Sequence, residues 1–201
     1  MLRIAVLGSG RGSNFDAILK AIRQGEIPSA RIRLAISNNS NAGILEIARA
    51  HSLPALHLSQ RQFASEDEYV DSMLAVLDEH DVNCIVLAGY MKRLPARIVT
   101  AFRGRILNIH PALLPKHGGQ GMYGHFVHEA VIQSGEKISG ATVHIVDEEY
   151  DHGAILLQRT VEISPDDTPE SLAAKVLRLE HELYPEAIRL FSEGRIPRHN
   201  L

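Results

Sequence analysis

The sequence predicts an α/β fold: one open, twisted, mixed sheet, mostly parallel, with an antiparallel C-terminal portion and helices on both faces. Three observations lead there. Short apolar runs alternate with helical periodicity through the first half of the chain, the mark of parallel βαβ units. The first apolar run ends in a glycine-rich turn, Gly8-Ser9-Gly10-Arg11-Gly12-Ser13-Asn14, directly before a helical pattern. In the last third, two apolar runs lie too close together for a crossover helix, so they pair antiparallel.

Taken in order, Ile4–Leu7 is a short buried strand, and Phe15, Ile18, Leu19 and Ile22 follow at helical spacing, with Ser13 or Asn14 placed to cap. Ile32, Leu34 and Ile36 alternate as a second strand. Ile44–Ala50 reads as a helix and Ala55–Leu58 as a third strand. Tyr69, Val70, Met73, Leu74 and Leu77 mark a third helix, Cys84–Ala88 a central strand, and Ala96–Phe102 a short helix leading into the strand Ile106–Ile109. Lys116 to His125 is a glycine-rich loop without apolar periodicity, and Phe126–Ser134 is helical again. Ala141, Val143 and Ile145 alternate as one strand and Ile155–Ile163 forms the next. Thr168–Phe191 closes the pattern as a long amphipathic helix with Leu172, Val176, Leu179 and Leu183 on one face. The first half is thus Rossmann-like, and a single domain over residues 1–201 is expected.

Composition narrows the function classes. With 21 Lys+Arg against 24 Asp+Glu, the formal charge of −3 offers no basic surface for nucleic acid. No apolar run approaches membrane-spanning length, and Met1–Leu7 reads as a strand rather than a signal peptide. The lone Cys84, set in an apolar run, suits a buried thiol in a reducing compartment. A cytoplasmic location is expected, without membrane or nucleic-acid partners.

The chemistry concentrates in Asn108-Ile109-His110-Pro111-Ala112-Leu113-Leu114-Pro115-Lys116. A strand ending in Asn-x-His points both polar side chains the same way, and the prolines make the exit rigid. An amide donor beside a titratable imidazole suits oxyanion stabilisation and proton movement, although Asn and His-Pro also occur in plain turns. The turn Gly8–Asn14 fails the dinucleotide fingerprint, which needs glycine where Ser13 stands, and lacks the P-loop Gly-Lys-Ser/Thr ending, so NAD is not expected. What remains is a small phosphate cradle at a helix N-terminus, with Ser13 and Asn14 as side-chain donors. Gly89-Tyr90-Met91-Lys92-Arg93-Leu94-Pro95 follows the central strand and belongs on the same crevice as Asn108 and His110. In the acidic turn Val146–Gly153, one carboxylate can pair with His110 and favour its charged form. His117, His125, His128 and His152 lack a zinc-site pattern, so no metal is expected, and no G-x-S-x-G elbow supports serine hydrolysis.

Together GSGRGSN, AGYMKRLP, LNIHPALLPK and VDEEYDHGAILLQ resemble the folate-dependent formyltransferases, in order and over essentially the whole chain. The resemblance implies transfer of a formyl group from 10-formyltetrahydrofolate, as co-substrate, to the amino group of glycinamide ribonucleotide in purine biosynthesis. It implies a catalytic trio of Asn108, His110 and Asp151, with a protonated His110 sharing the oxyanion with Asn108. It assigns Gly12, Ser13 and Asn14 to the nucleotide phosphate and Glu180 to the ribose hydroxyls. Met91, Lys92, Arg93 and Leu94 on one side, and Val146, Asp147 and Asp151 with Asn108 on the other, correspond to the pteridine cleft. Residues 1–104 would then be the nucleotide-binding-like half and 105–201 the catalytic and folate-binding half of one sheet, in a monomer or homodimer. The loop after Lys116, His117-Gly118-Gly119-Gln120-Gly121-Met122-Tyr123-Gly124, is longer than the family's usual Pro-Gly form. Glu66 stands where a family arginine often lies near the folate glutamate tail, which leaves Lys92 or Arg93 for that role. Related activities are transfer to methionyl-tRNA, for which a basic RNA-binding domain would be needed, and transfer to water, which usually accompanies an N-terminal regulatory domain. A non-catalytic nucleotide-binding module would use the phosphate cradle alone.

Overall fold

The computed structural model describes residues 1–195, so residues 196–201 of the expected domain lie outside the described residues. Strands β1 (Leu2–Leu7), β2 (Ala30–Ser37), β3 (Ala55–His57), β4 (Cys84–Leu87), β5 (Ile106–His110), β6 (Ile138–Ile145) and β7 (Ile155–Glu162) form a 7-stranded sheet in the order β3-β2-β1-β4-β5-β6-β7. The first five run parallel; β6 is antiparallel to β5, and β7 to β6. Strand order reverses at β1, which has β2 on one side and β4 on the other, so a crevice opens at the carboxyl ends there.

Helices α1 (Ser13–Arg23), α2 (Gly43–Ala50), α3 (Glu66–Glu79), α4 (Ala96–Ala101), α5 (His125–Gln133) and α6 (Pro169–Ser192) complete the fold. Phe15, Ile18, Leu45, Val176 and Leu183 of α1, α2 and α6 pack on Ile4, Val6, Val86, Leu107 and Val143. Met73, Leu77, Ile98 and Val99 of α3 and α4 pack on Ala5, Leu7, Ile85 and Ile106 from the other face. Being covered on both sides, β4 is buried throughout and reads as an unbroken apolar run, whereas the edge strand β7 alternates.

The expected cap of α1 is corrected. Gly12 is the N-cap, in a left-handed conformation with φ +82°, and no side chain caps the helix. A β-carbon there would lie 2.8 Å from Ile44 Cα, so glycine takes the cap position and Ser13 and Asn14 become first-turn residues. Helix α6 begins as the sequence suggests: Thr168 accepts from the Ser171 N–H, the Ser171 hydroxyl accepts from the Thr168 N–H, and Pro169 follows at the first helical position.

Tyr184 ties α6 to the crevice floor. Its ring is fully buried, and its hydroxyl donates to Leu87 O at 2.9 Å and Leu107 O at 3.0 Å, bracing β4 and β5 where the functional loops depart. Tyr184→Phe keeps the packing but leaves two buried carbonyls without this donor. It should lower stability by about 1–2 kcal/mol in urea unfolding while preserving the fold by circular dichroism.

Candidate active site

Asn108 and His110 lie on the same face of β5, and β6 faces them with a second polar pair. Asn108 is directly opposite His144, and His110 opposite Thr142. The Thr142 hydroxyl donates to Ala112 O at 2.6 Å and accepts from the Leu114 N–H and the Gln158 amide. The proline-flanked exit from β5 is therefore pinned by a cross-strand hydroxyl as well as by its own rigidity.

The hairpin turn between β6 and β7 doubles back along β5. The Val146 N–H bonds Ile106 O, yet Asp151 reaches His110 at the far end of that strand, with Oδ2 3.5 Å from His110 Nδ1. Asp151 Oδ1 lies 3.6 Å from His144 Nε2, and Oδ2 accepts from the Gly119 N–H at 3.0 Å. Of the acidic turn, Asp151 is the carboxylate that faces His110; Asp147 points at His152, and Glu148 at Arg103.

Electrostatics correct one expectation. Burial pushes His110 below the ordinary imidazole range, and the Asp151 charge and the His117 carbonyl offset this only partly. His110 Nε2–H donates to His117 O at 2.7 Å. For Asp151, burial acts upward but is outweighed by His144, His110 and the Gly119 N–H, so its carboxyl stays below the usual range and ionised.

At the glycine turn, Gly12 and Ser13 are half-buried at the start of α1. The Asn14 amide is committed elsewhere: its Nδ2 donates to Glu180 Oε2 at 2.7 Å, an interior pair joining α1 to α6. Burial pushes the Glu180 carboxyl up to about 7, against that one hydrogen bond. Ser9, which the sequence did not single out, donates to Asn38 Oδ1 and accepts from the Met91 N–H at 2.8 Å, coupling this turn to the loop after β4.

The two expected cleft walls face each other. Leu94 is buried, Val146 and Asp147 are half-buried, and Met91, Lys92 and Arg93 are exposed. Arg93 spans the walls, donating to Glu148 O at 2.7 Å and lying over the Tyr150 ring, while Lys92 stands on the rim. Glu66 lies in the first turn of α3. Among the described residues, no group of three or more His, Cys, Asp and Glu is arranged to hold a metal ion. No helix among them is long and apolar enough to cross a membrane.

The main residue missed from sequence is His144, only 2% exposed, between Asn108 and Asp151. Its signal was available: in the run Ala141–Ile145 the apolar positions alternate with Thr142 and His144.

An amide, an imidazole and a carboxylate gathered at the end of β5 are the groups that acid–base and oxyanion chemistry of a group-transfer enzyme uses. The particular family follows from its relatives: the chain belongs to the formyl transferase family, whose profile, described as "Formyl transferase", matches residues 2–188. It is 44% identical over 195 residues to the chloroplastic phosphoribosylglycinamide formyltransferase of Arabidopsis thaliana, covering 96% of this chain and 66% of that protein. With the phosphoribosylglycinamide formyltransferase of Haemophilus influenzae it shares 41% identity, covering 98% of this chain and 90% of that one. The crystal structure of glycinamide ribonucleotide transformylase 1 from Symbiobacterium toebii superposes with a TM-score of 0.92 at 40% identity, covering 100% of this chain and 92% of that one.

Glu180 generates a pH prediction. Its folded pKa of about 7 exceeds the ordinary 4.5, so the native state holds a proton that the unfolded chain releases. Stability is therefore lost as pH rises from the lower value through the higher one, by on the order of 3 kcal/mol. Glu180→Gln retains an acceptor for Asn14 and removes this slope. Urea unfolding at about pH 8 should find the variant more stable than the parent, with the difference vanishing near about pH 4.

Proposed function

We propose that this chain transfers the formyl group of 10-formyltetrahydrofolate to the amino group of glycinamide ribonucleotide, in a cytoplasmic compartment. The observation that carries the reading is the convergence of Asn108, His110 and Asp151 in a chain with full-length likeness to formyltransferases. The Met91–Leu94 and Val146–Asp151 segments, bridged by Arg93, would receive the pteridine largely through backbone groups. Gly12 and Ser13, at the start of α1, present backbone N–H groups and a hydroxyl to a phosphate. Asn14 serves through Glu180, orienting the acid that meets the ribose hydroxyls.

In the reaction the amino nitrogen attacks the formyl carbon and the carbonyl electron pair moves onto oxygen. Asn108 Nδ2–H and His110 Nε2–H stabilise that oxyanion, the substrate oxygen replacing the His117 carbonyl on His110. Asp151, held ionised, takes the proton released by the amine. The bond from carbon to N10 of the folate then breaks as the oxyanion collapses, and N10 recovers the proton. The products are formylglycinamide ribonucleotide and tetrahydrofolate.

A spectrophotometric assay with 10-formyltetrahydrofolate, comparing glycinamide ribonucleotide, initiator tRNA and water, should give turnover with the first alone; turnover only with another acceptor would reassign the enzyme. Asn108→Ala and Asp151→Asn should each lower kcat by about 100-fold or more with KM nearly unchanged. Ser13→Ala should instead raise KM for glycinamide ribonucleotide by about tenfold and leave kcat near the parent value.

A further inference from the structure

His144 is almost wholly buried and touches Asn108. We propose that His144 is a positioning residue: as the neutral tautomer protonated at Nδ1, it fixes the Asn108 amide so that one Nδ2–H is anchored and the other is aimed at the developing oxyanion.

The hydrogen-bond inventory of the ring requires this. His144 Nδ1 lies 3.2 Å from Ile145 O, and a carbonyl can only accept, so Nδ1 carries the proton. In the neutral ring Nε2 is then a bare acceptor. Asn108 Nδ2 is 3.0 Å away and supplies the donor. Asp151 Oδ1 lies farther from the same nitrogen, at 3.6 Å, so Asn108 is the nearer partner of Nε2. Were the Asn108 amide flipped, its oxygen would face the bare ring nitrogen, acceptor against acceptor, in a site where His144 is 2% exposed and water cannot screen the repulsion. Only one amide orientation is compatible with the neutral ring.

The backbone has been shaped to allow it. Asn108 and His144 are directly opposed in the β5–β6 ladder, and the β6–β7 register shifts between Val143 and His144. A β-carbon on Gly153 would lie 1.8 Å from Ile145 O, so glycine is required where the returning turn passes the carbonyl that sets the tautomer. A second proton on His144 would have the opposite effect. Its Nε2–H would face the Asn108 amide donor and turn toward the Asp151 carboxylate, freeing the amide to flip and drawing charge from the group that must accept the amine proton.

The inference rests on the formyl-transfer reading only for its rate measurement. The first test is independent of activity: nitrogen-edited NMR of the isotope-labelled full chain at neutral pH, with His144 identified by the signals lost in His144→Gln. The expected spectrum shows a protonated Nδ1 and a bare Nε2; a protonated Nε2 overturns the proposal. In the formyl-transfer assay, His144→Leu, which keeps bulk but removes the acceptor, should lower kcat about 30-fold with both KM values within about twofold. His144→Gln, whose Oε1 restores an acceptor for Nδ2–H, should recover to within about threefold of the parent. Parental kcat in His144→Leu, or equal loss in both variants, overturns the proposal. If the unaltered chain transfers no formyl group, the functional reading falls and the ring-nitrogen spectrum alone decides the tautomer.

Discussion

The antiparallel join of β5 to β6 is the constraint on which the site depends. Four parallel pairings carry the sheet from β3 to β5, and each could have been followed by another crossover helix. The direction reverses instead, and the ladder sets Asn108 against His144 and His110 against Thr142. Because side chains alternate, a slip of one residue would send this whole polar set to the opposite face, against the apolar packing of α6. The register is held by what that slip would bury: Leu107, Ile109, Ala141 and Val143 all belong to the core on the α6 side. Packing on one face of these strands thus fixes the chemistry on the other.

Burial then decides which groups are charged. Asp151 and Glu180 are both carboxyls in the interior of one protein, and they move in opposite directions. Asp151 gains a backbone N–H and two imidazole neighbours, which together outweigh its desolvation. Glu180 has one amide partner, and desolvation wins. The outcome is one interior carboxyl held below the usual range and another pushed up to about 7. His110 shows the same competition, with burial prevailing over the adjacent carboxylate.

Much of this architecture was legible in the sequence, for physical reasons. The unbroken apolar run of Cys84–Leu87 announced a strand covered on both faces, and the spacing of Leu172, Val176, Leu179 and Leu183 announced α6. The short spacing between the last two strands announced the antiparallel hairpin, because a crossover has a minimum length. Asn108 and His110 were visible because both lie on one strand at a spacing of two. For His144 the local alternation of Ala141–Ile145 marked only the face it lies on; that it stands against Asn108 depends on cross-strand register. The cap of α1 was misread because the nearness of Ile44, a residue from another element, dictated glycine there. Nor does composition reveal that burial outweighs Asp151 at His110, because depth is a property of the folded chain.

The glycine-rich segment beyond Lys116 shapes the surroundings of His110 and Asp151 through its backbone. His117 adopts a left-handed backbone with φ 53°, and Gly119 follows with φ 98°. Those conformations turn the His117 carbonyl toward His110 and the Gly119 N–H toward Asp151, so two consecutive stretches of backbone address the two titratable groups. Between them, a β-carbon on Gly118 would lie 2.5 Å from Leu114 Cδ2 and 3.2 Å from Asp151 Cβ, which only glycine avoids. The His117 side chain is held outside by Glu136 at 3.0 Å, anchoring the segment from behind. In the proposed reaction a substrate oxygen takes the His110 donor in place of the His117 carbonyl.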